Sequence, residues 1–218
     1  MLIACWSPKG GCGTTVVSAA LGLVLAASDG PTLLADLDGD IPAVLGMPEP
    51  SGPGLSHWLH AGPDVPEDAL ARLEVDVRPG LRLLPSGRPG GVGDDDPGRA
   101  QALAAALAAD PRPVVADCGR AASGAALTVA AGASLSLLVL RPCYLGLRRA
   151  VAAPLRASGL VLVNEEGRSL AGRDIEEALG IPLRARVPYD AAIARAVDAG
   201  LLAARIPRRL ERSLRRAA

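Results

Sequence analysis

The stretch from Cys5 to Ala20, "CWSPKGGCGTTVVSAA", decides how the rest of the chain is read. An apolar run from Leu2 to Trp6 meets a loop holding Gly10, Gly11 and Gly13, and a segment rich in Val and Ala follows. Strand, glycine loop and helix together form the layout in which main-chain amides and a helix N-terminus cradle phosphate. The general pattern GxxxxGK[ST] fails twice, because Pro8 stands at its first glycine and Thr14 at its lysine. The dinucleotide pattern GxGxxG fails as well, since Val16 occupies the place of its third glycine. A variant, K-G-G-x-G-K-[ST], is matched by Lys9, Gly10, Gly11, Gly13 and Thr15, with Cys12 at the free position and only Thr14 departing.

Lys9 is the only lysine among 23 basic residues; the other 22 are arginine. A compact ammonium on a thin stem suits a phosphate cage that a planar guanidinium does not fit. Thr14 can donate a hydrogen bond but carries no charge. Losing a charge-assisted phosphate contact costs about 1.5 to 3 kcal/mol, roughly a ten- to hundredfold loss of affinity.

Beyond the loop, composition sets limits. A chain of 218 residues with 50% hydrophobic and 21% charged residues buries a sizeable core and fits one domain, expected to span 1–218. Phe is absent and only two Trp and two Tyr are present, so Ala, Val and Leu must fill that core and stacking platforms for bases are scarce. The net charge is zero, with 8 basic against 15 acidic residues in 1–140 and 15 against 8 in 141–218. A basic surface is therefore expected near the C-terminus, without whole-molecule attraction to nucleic acid or anionic lipid. Cys5, Cys12, Cys118 and Cys143 show no paired spacing, which suggests neither a zinc site nor a disulfide framework and points to a reducing cytoplasm. No signal peptide is read at the start.

Apolar runs of strand length recur at 2–6, 32–35, 81–84, 114–116, 135–140 and 160–163, with helix-length stretches at 15–28, 97–109, 145–157 and 189–199. That alternation predicts an α/β fold: a doubly wound, mostly parallel sheet with helices on both faces. The uncharged run 121–140 is long enough to span a bilayer, but its Ala, Ser and Gly content and the break at Gly132 favour a buried helix followed by a buried strand. In "SGRPGGVGDDDPG" (86–98), Asp94, Asp95 and Asp96 look like a metal cluster, yet Asp96 before Pro97 reads as a helix cap and first-turn proline. His57 and His60 lack companion ligands and are read as packing or solvated histidines.

The loop resembles the deviant Walker A loop of the ParA/MinD family of ATPases, and the likeness continues along the chain. "LLADLDGD" resembles the family's D-x-D, "VVADCG" its switch II aspartate and glycine, "LVLVN" its adenine-reading asparagine, and "VPYDAAIARAVDAGLL" the segment beside the base. The resemblance implies the P-loop NTPase fold, with ATP and Mg2+ as cofactors. ATP would be held by Lys9, Gly10, Gly11, Cys12, Gly13, Thr14, Thr15, Asn164 and Pro188. The metal would lie near Thr15, Asp36 and Asp117. Asp38 would orient the attacking water, and Lys9 would reach a partner's phosphates across a homodimer. "PGLRLLPSGRP", "GPGLSHWLHAG" and "LRPCYLGLRRA" look like stretches of the CpaE/TadZ and MinD branches, although none of these 218 residues is expected to form the receiver-like domain that CpaE-type proteins often carry.

From this follows an expected scaffold that binds ATP weakly and dimerises in the cytoplasm to localise a pilus, secretion or division assembly through a protein partner, with ATP hydrolysis weak or absent. Two alternatives stay open: a partitioning ATPase that binds nonspecific DNA, ranked behind the scaffold, and a P-loop synthetase of a small molecule. The C-terminal segment 206–218 reads as an amphipathic helix. Its Ile206, Leu210 and Leu214 stripe suits either peripheral membrane contact at the inner face or packing on its own domain.

Overall fold

Strand β1 (Leu2–Trp6) is buried at every residue, as a strand covered on both faces must be. The computed structural model describes residues 1–62, 65, 66, 68–88, 91, 92, 96–122 and 124–217. Within them β1 lies inside an eight-stranded sheet with β2 (Thr32–Asp36), β3 (Val75–Arg78), β4 (Leu81–Leu84), β5 (Val114–Asp117), β6 (Leu135–Leu140), β7 (Gly159–Asn164) and β8 (Leu183–Pro188). The order is β3-β4-β2-β5-β1-β6-β7-β8. Every neighbouring pair is parallel except β3 against β4 at one edge. From β1 the chain first winds to one side, through β2 to β5, and then to the other, through β6 to β8.

Alternation along each strand sends side chains to two cores. Leu2, Ala4 and Trp6 of β1 join one cluster, and Ile3 and Cys5 the other. The Ile3 side is covered by α1 (Thr14–Ser28), α2 (Ile41–Leu45), α9 (Ala191–Asp198) and α10 (Arg208–Leu214). The Leu2 side is covered by α3 (Leu55–His60), α5 (Pro97–Ala109), α6 (Gly124–Gly132), α7 (Tyr144–Val151) and α8 (Gly172–Leu179), with the short α4 (Ala69–Arg72) beside α3. This is the expected doubly wound α/β architecture.

Several local expectations meet the structure directly. The apolar run 121–140 divides into α6 and β6, and among the described residues no helix is long and apolar enough to cross a membrane. Asp96 caps α5 by accepting from Arg99 N at 2.9 Å, with Pro97 in the first turn; Asp94 and Asp95 lie outside the described residues. His57 accepts from Gly54 N through Nδ1 at 3.2 Å, and His60 Nδ1 lies 2.6 Å from Ser56 O. Other boundaries shift. The helix expected over 145–157 ends at Val151, because Pro154 disfavours helical backbone at the residue before it. In α10, Leu210 and Leu214 are buried against α1 and β8, with Ile206 packed alongside, so the apolar stripe of 206–218 faces the protein's own core.

Candidate functional site

The parallel strands end along one sheet edge, at Trp6, Asp36, Asp117, Leu140, Asn164 and Pro188, where open α/β sheets bind ligands. There β1 runs into Ser7–Gly13. The loop turns through left-handed backbone at Gly11 (φ 75°) and Gly13 (φ 86°), the latter capping α1 with no side-chain hydrogen bond. A residue with a β-carbon is strained at such angles. The first-turn amides of α1 are thus directed at the loop mouth by backbone geometry alone, an arrangement suited to anions.

Two cavities flank the loop. One, of about 340 Å³, is lined by Ser7, the loop from Gly10 to Val16, and Asp38, Asp40, Gly119 and Arg120. The other, of about 180 Å³, lies between Gly11–Gly13 and an apolar wall of Val163, Val187, Pro188 and Ile193, with Tyr189 and Arg141 at its rim. Arg141 stacks on the Tyr189 ring at 4.6 Å and ion-pairs with Glu165 at 2.6 Å, which also holds Arg168. A cavity on a glycine loop and helix start beside an apolar slot is a concave site suited to a small ligand with an anionic end and an apolar end.

The acidic residues take distinct positions. Asp117, at the end of β5, is fully buried; its Oδ1 accepts from Ser18 Oγ and Gly119 N, each at 3.3 Å, while Oδ2 has no partner. Burial pushes its carboxyl up to about 8, with the Asp36 charge adding to the rise and Thr15 opposing it. An orphaned buried carboxylate oxygen is costly unless a cation or bound water completes it. Together with the Thr15 hydroxyl it fits the donor set of Mg2+, an oxygen-seeking ion that keeps several waters and takes phosphate oxygens. Among the described residues no cluster of three or more His, Cys, Asp or Glu forms a metal cage, so any such ion would rely on phosphate.

Asp36 is buried too, but its oxygens accept from Gly39 N at 2.7 Å and Ile41 N at 3.2 Å, so its carboxylate organises the loop after β2. Burial pushes it up to about 7. Asp38 is half-buried on the wall of the larger cavity. Burial raises its pKa, Asp40 adds to the rise, and Arg120 opposes it.

Thr14 is 6% exposed and lines the larger cavity with Thr15. The Lys9 ammonium instead donates to Gly10 O at 3.2 Å on the outside of the loop and does not line that cavity. Cys12 and Cys118 are buried; burial holds the Cys118 thiol well above its usual value, as suits packing rather than redox chemistry. Asn164 is exposed at the end of β7 in register with Pro188, its carbonyl accepting from Tyr189 N at 2.7 Å; Val163 and Pro188 line the slot, and Asn164 does not. Sequence reasoning missed Arg120 and Arg141. Arg120 directly follows the "DCG" that drew attention to Asp117, and Arg141 opens the "RPCY" stretch after β6.

Solved structures resemble this arrangement over nearly the whole chain. MinD of Aquifex aeolicus superposes with a TM-score of 0.80 at 18% identity, covering 99% of this chain and 94% of that one. MinD of Pyrococcus horikoshii OT3, complexed with Mg-ADP, gives 0.78 at 21% identity, covering 99% and 93%. A ParA family ATPase from Chlorobium tepidum TLS gives 0.78 at 18% identity, covering 98% and 95%. The fold is that of the ParA/MinD ATPases. At these identities the likeness concerns the fold, and neither a protein-family model nor a curated protein matches the sequence.

Proposed function

We propose that this protein is a ParA/MinD-type positioning protein, nearest the CpaE/TadZ branch, which binds Mg-ATP weakly and dimerises to localise a pilus, secretion or division assembly. Residues 1–218 act as one nucleotide-responsive unit in this reading. The observation that carries it is a glycine loop lining a 340 Å³ cavity beside an apolar slot, with the buried Asp117, whose Oδ2 has no partner, at the end of the neighbouring β5. The amides of the loop hold the phosphates. The slot takes the base between Val163 and Pro188, with Asn164 at its margin. Thr15 and Asp117 hold Mg2+, which neutralises phosphate charge when bound, and Asp36 fixes the loop that presents Asp38.

Thr14 supports the weak or absent hydrolysis, since no cation sits at the helix start where transition-state charge develops. The position of Lys9, outside its own cavity, suits contact with a second copy and so a nucleotide-linked homodimer. Neighbouring structures carry the same themes. One is a complex of MinC with MinD from Aquifex aeolicus, and another is a putative plasmid partition protein from Borrelia burgdorferi bound to AMPPNP. The test is calorimetry with Mg-ATP, light scattering with and without ATP, and phosphate release. Binding with dimerisation and little turnover supports the scaffold; no binding at millimolar ATP refutes it.

A second reading, the partitioning ATPase, rests on the exposed arginines of α10, among them Arg208, Arg209 and Arg212. It requires ATP-dependent, salt-sensitive DNA retention. Peripheral membrane contact through 206–218 would require α10 to leave α1 and β8.

A further inference from the structure

The larger cavity has an unequal charge lining. Asp38 and Asp40 contribute carboxylates, Thr14 contributes no charge, and the Lys9 ammonium is turned to the Gly10 carbonyl outside. A polyphosphate placed on the amides of α1 would meet two negative groups across the cavity. The one cationic side chain lining it is Arg120.

The backbone holds Arg120 there. The turn after β5 closes with Ala121 N donating to Cys118 O at 2.8 Å and passes through left-handed backbone at Gly119 (φ 51°) and Ala121 (φ 37°). Ala121 is the only residue other than glycine with a positive φ among the described residues, and it is buried. Strained backbone of this kind persists where the surroundings fix it. The turn is tied to the phosphate-facing loop itself: Ser7 N donates to Gly119 O at 2.8 Å, and Ser7 Oγ donates to Lys9 O at 2.8 Å. Position 120 is therefore set in register with the loop mouth.

Among the described residues no structural contact of the Arg120 side chain explains this placement. It is exposed, and among the described residues no carboxylate lies within ion-pair distance of it. Its electrostatic neighbour is Asp38, on the same cavity wall.

We propose that Arg120 is the phosphate-binding cation of this site, supplying from the end of β5 the positive charge that Thr14 does not supply from the start of α1. The ligand class is a di- or triphosphate whose terminal groups lie between the α1 amides and the Cys118–Ala121 turn. A guanidinium suits the task because its planar fork grips two phosphate oxygens at once from a wall, whereas an ammonium at position 14 would act from below as a point charge. The proposal rests on the nucleotide reading given above.

The test measures binding of Mg-ATPγS and of inorganic triphosphate to the full chain, for wild type, Arg120→Ala, Arg120→Lys, Thr14→Lys and the Arg120→Ala/Thr14→Lys double variant, with melting curves for each. Arg120→Ala is expected to weaken both ligands about ten- to a hundredfold at low salt, the range of one charge-assisted contact. Arg120→Lys keeps most of the affinity, and Thr14→Lys restores it in the Arg120→Ala background, a repair that a purely structural role for Arg120 would not permit. Arg120→Ala binding within threefold of wild type overturns the proposal, as does an Arg120→Ala loss that neither Arg120→Lys nor Thr14→Lys repairs. Wild type that binds neither ligand overturns the nucleotide reading itself; wild type that binds with Arg120→Ala unchanged overturns only the role of Arg120.

Discussion

The carboxylate of Asp38 lies directly on Gly119: a β-carbon added at 119 would fall on Asp38 Oδ1 and Cγ, closer than real contacts allow. The loops after β2 and β5 are thereby locked together at the cavity wall, and φ at Gly119 is +51°. Gly119→Ala should cost about 1 to 3 kcal/mol in unfolding free energy through backbone strain and overpacking, and should displace Asp38. Chemical denaturation measures the first effect, and an unchanged midpoint would contradict it.

Asp36 and Asp117 make stability depend on pH with a definite sign. Burial raises them from 3.8 to about 7 and about 8, so between pH 4 and 8 the folded chain keeps protons that the unfolded chain has released. Their stabilising contribution is complete below about pH 4 and is lost as pH rises through 7 to 8. Without Mg2+, Asp117→Asn should melt above wild type at pH 8, with the gap closing toward pH 4. Added Mg-ATPγS should raise wild type at pH 8 more than it raises the variant.

Lys9 should matter to the dimer more than to the single chain. Its ammonium donates to the Gly10 carbonyl and does not line the cavity, so Lys9→Ala is expected to leave monomer affinity for Mg-ATPγS within about threefold. The same variant should abolish any ATP-dependent increase in mass by light scattering. Equal dimerisation of variant and wild type would remove Lys9 from that role.

Arg141 lines the apolar slot and not the larger cavity. It is stacked on Tyr189 and paired with Glu165, so under the proposed nucleotide reading it belongs to the base end of the site. Arg141→Ala should weaken adenine nucleotides by about 0.5 to 2 kcal/mol while leaving inorganic triphosphate unchanged. Calorimetry with both ligands checks the split.

The C-terminal helix should behave as part of the core. Leu214 is 1% exposed, so Leu214→Ala should cost about 2 to 5 kcal/mol. Wild type should float free of anionic vesicles under conditions where the variant, with α10 loosened, sediments with them. Wild type that sediments equally well would mean that α10 undocks readily.

Much of this was legible because six of the eight strands are mostly apolar runs, and the glycine loop marks where β1 meets its helix. Strands β3 and β8 were not. Val75-Asp-Val-Arg and Leu183-Arg-Ala-Arg alternate with charge because each lies at a sheet edge, half exposed, and short alternating runs rich in arginine look like loop. The role of Asp36 was hidden for another reason: its carboxylate serves the amides of Gly39 and Ile41, which only backbone geometry reveals. Arg120 escaped notice because its closeness to Thr14 depends on β5 lying beside β1, a pairing between segments more than a hundred residues apart.

One lysine in 218 residues also makes the loop chemically addressable. Acylating and crosslinking reagents that attack side-chain amines have one lysine target in these residues, the half-exposed Lys9. A dye or isotope label introduced there would report on the outer side of the glycine loop without mutating anything.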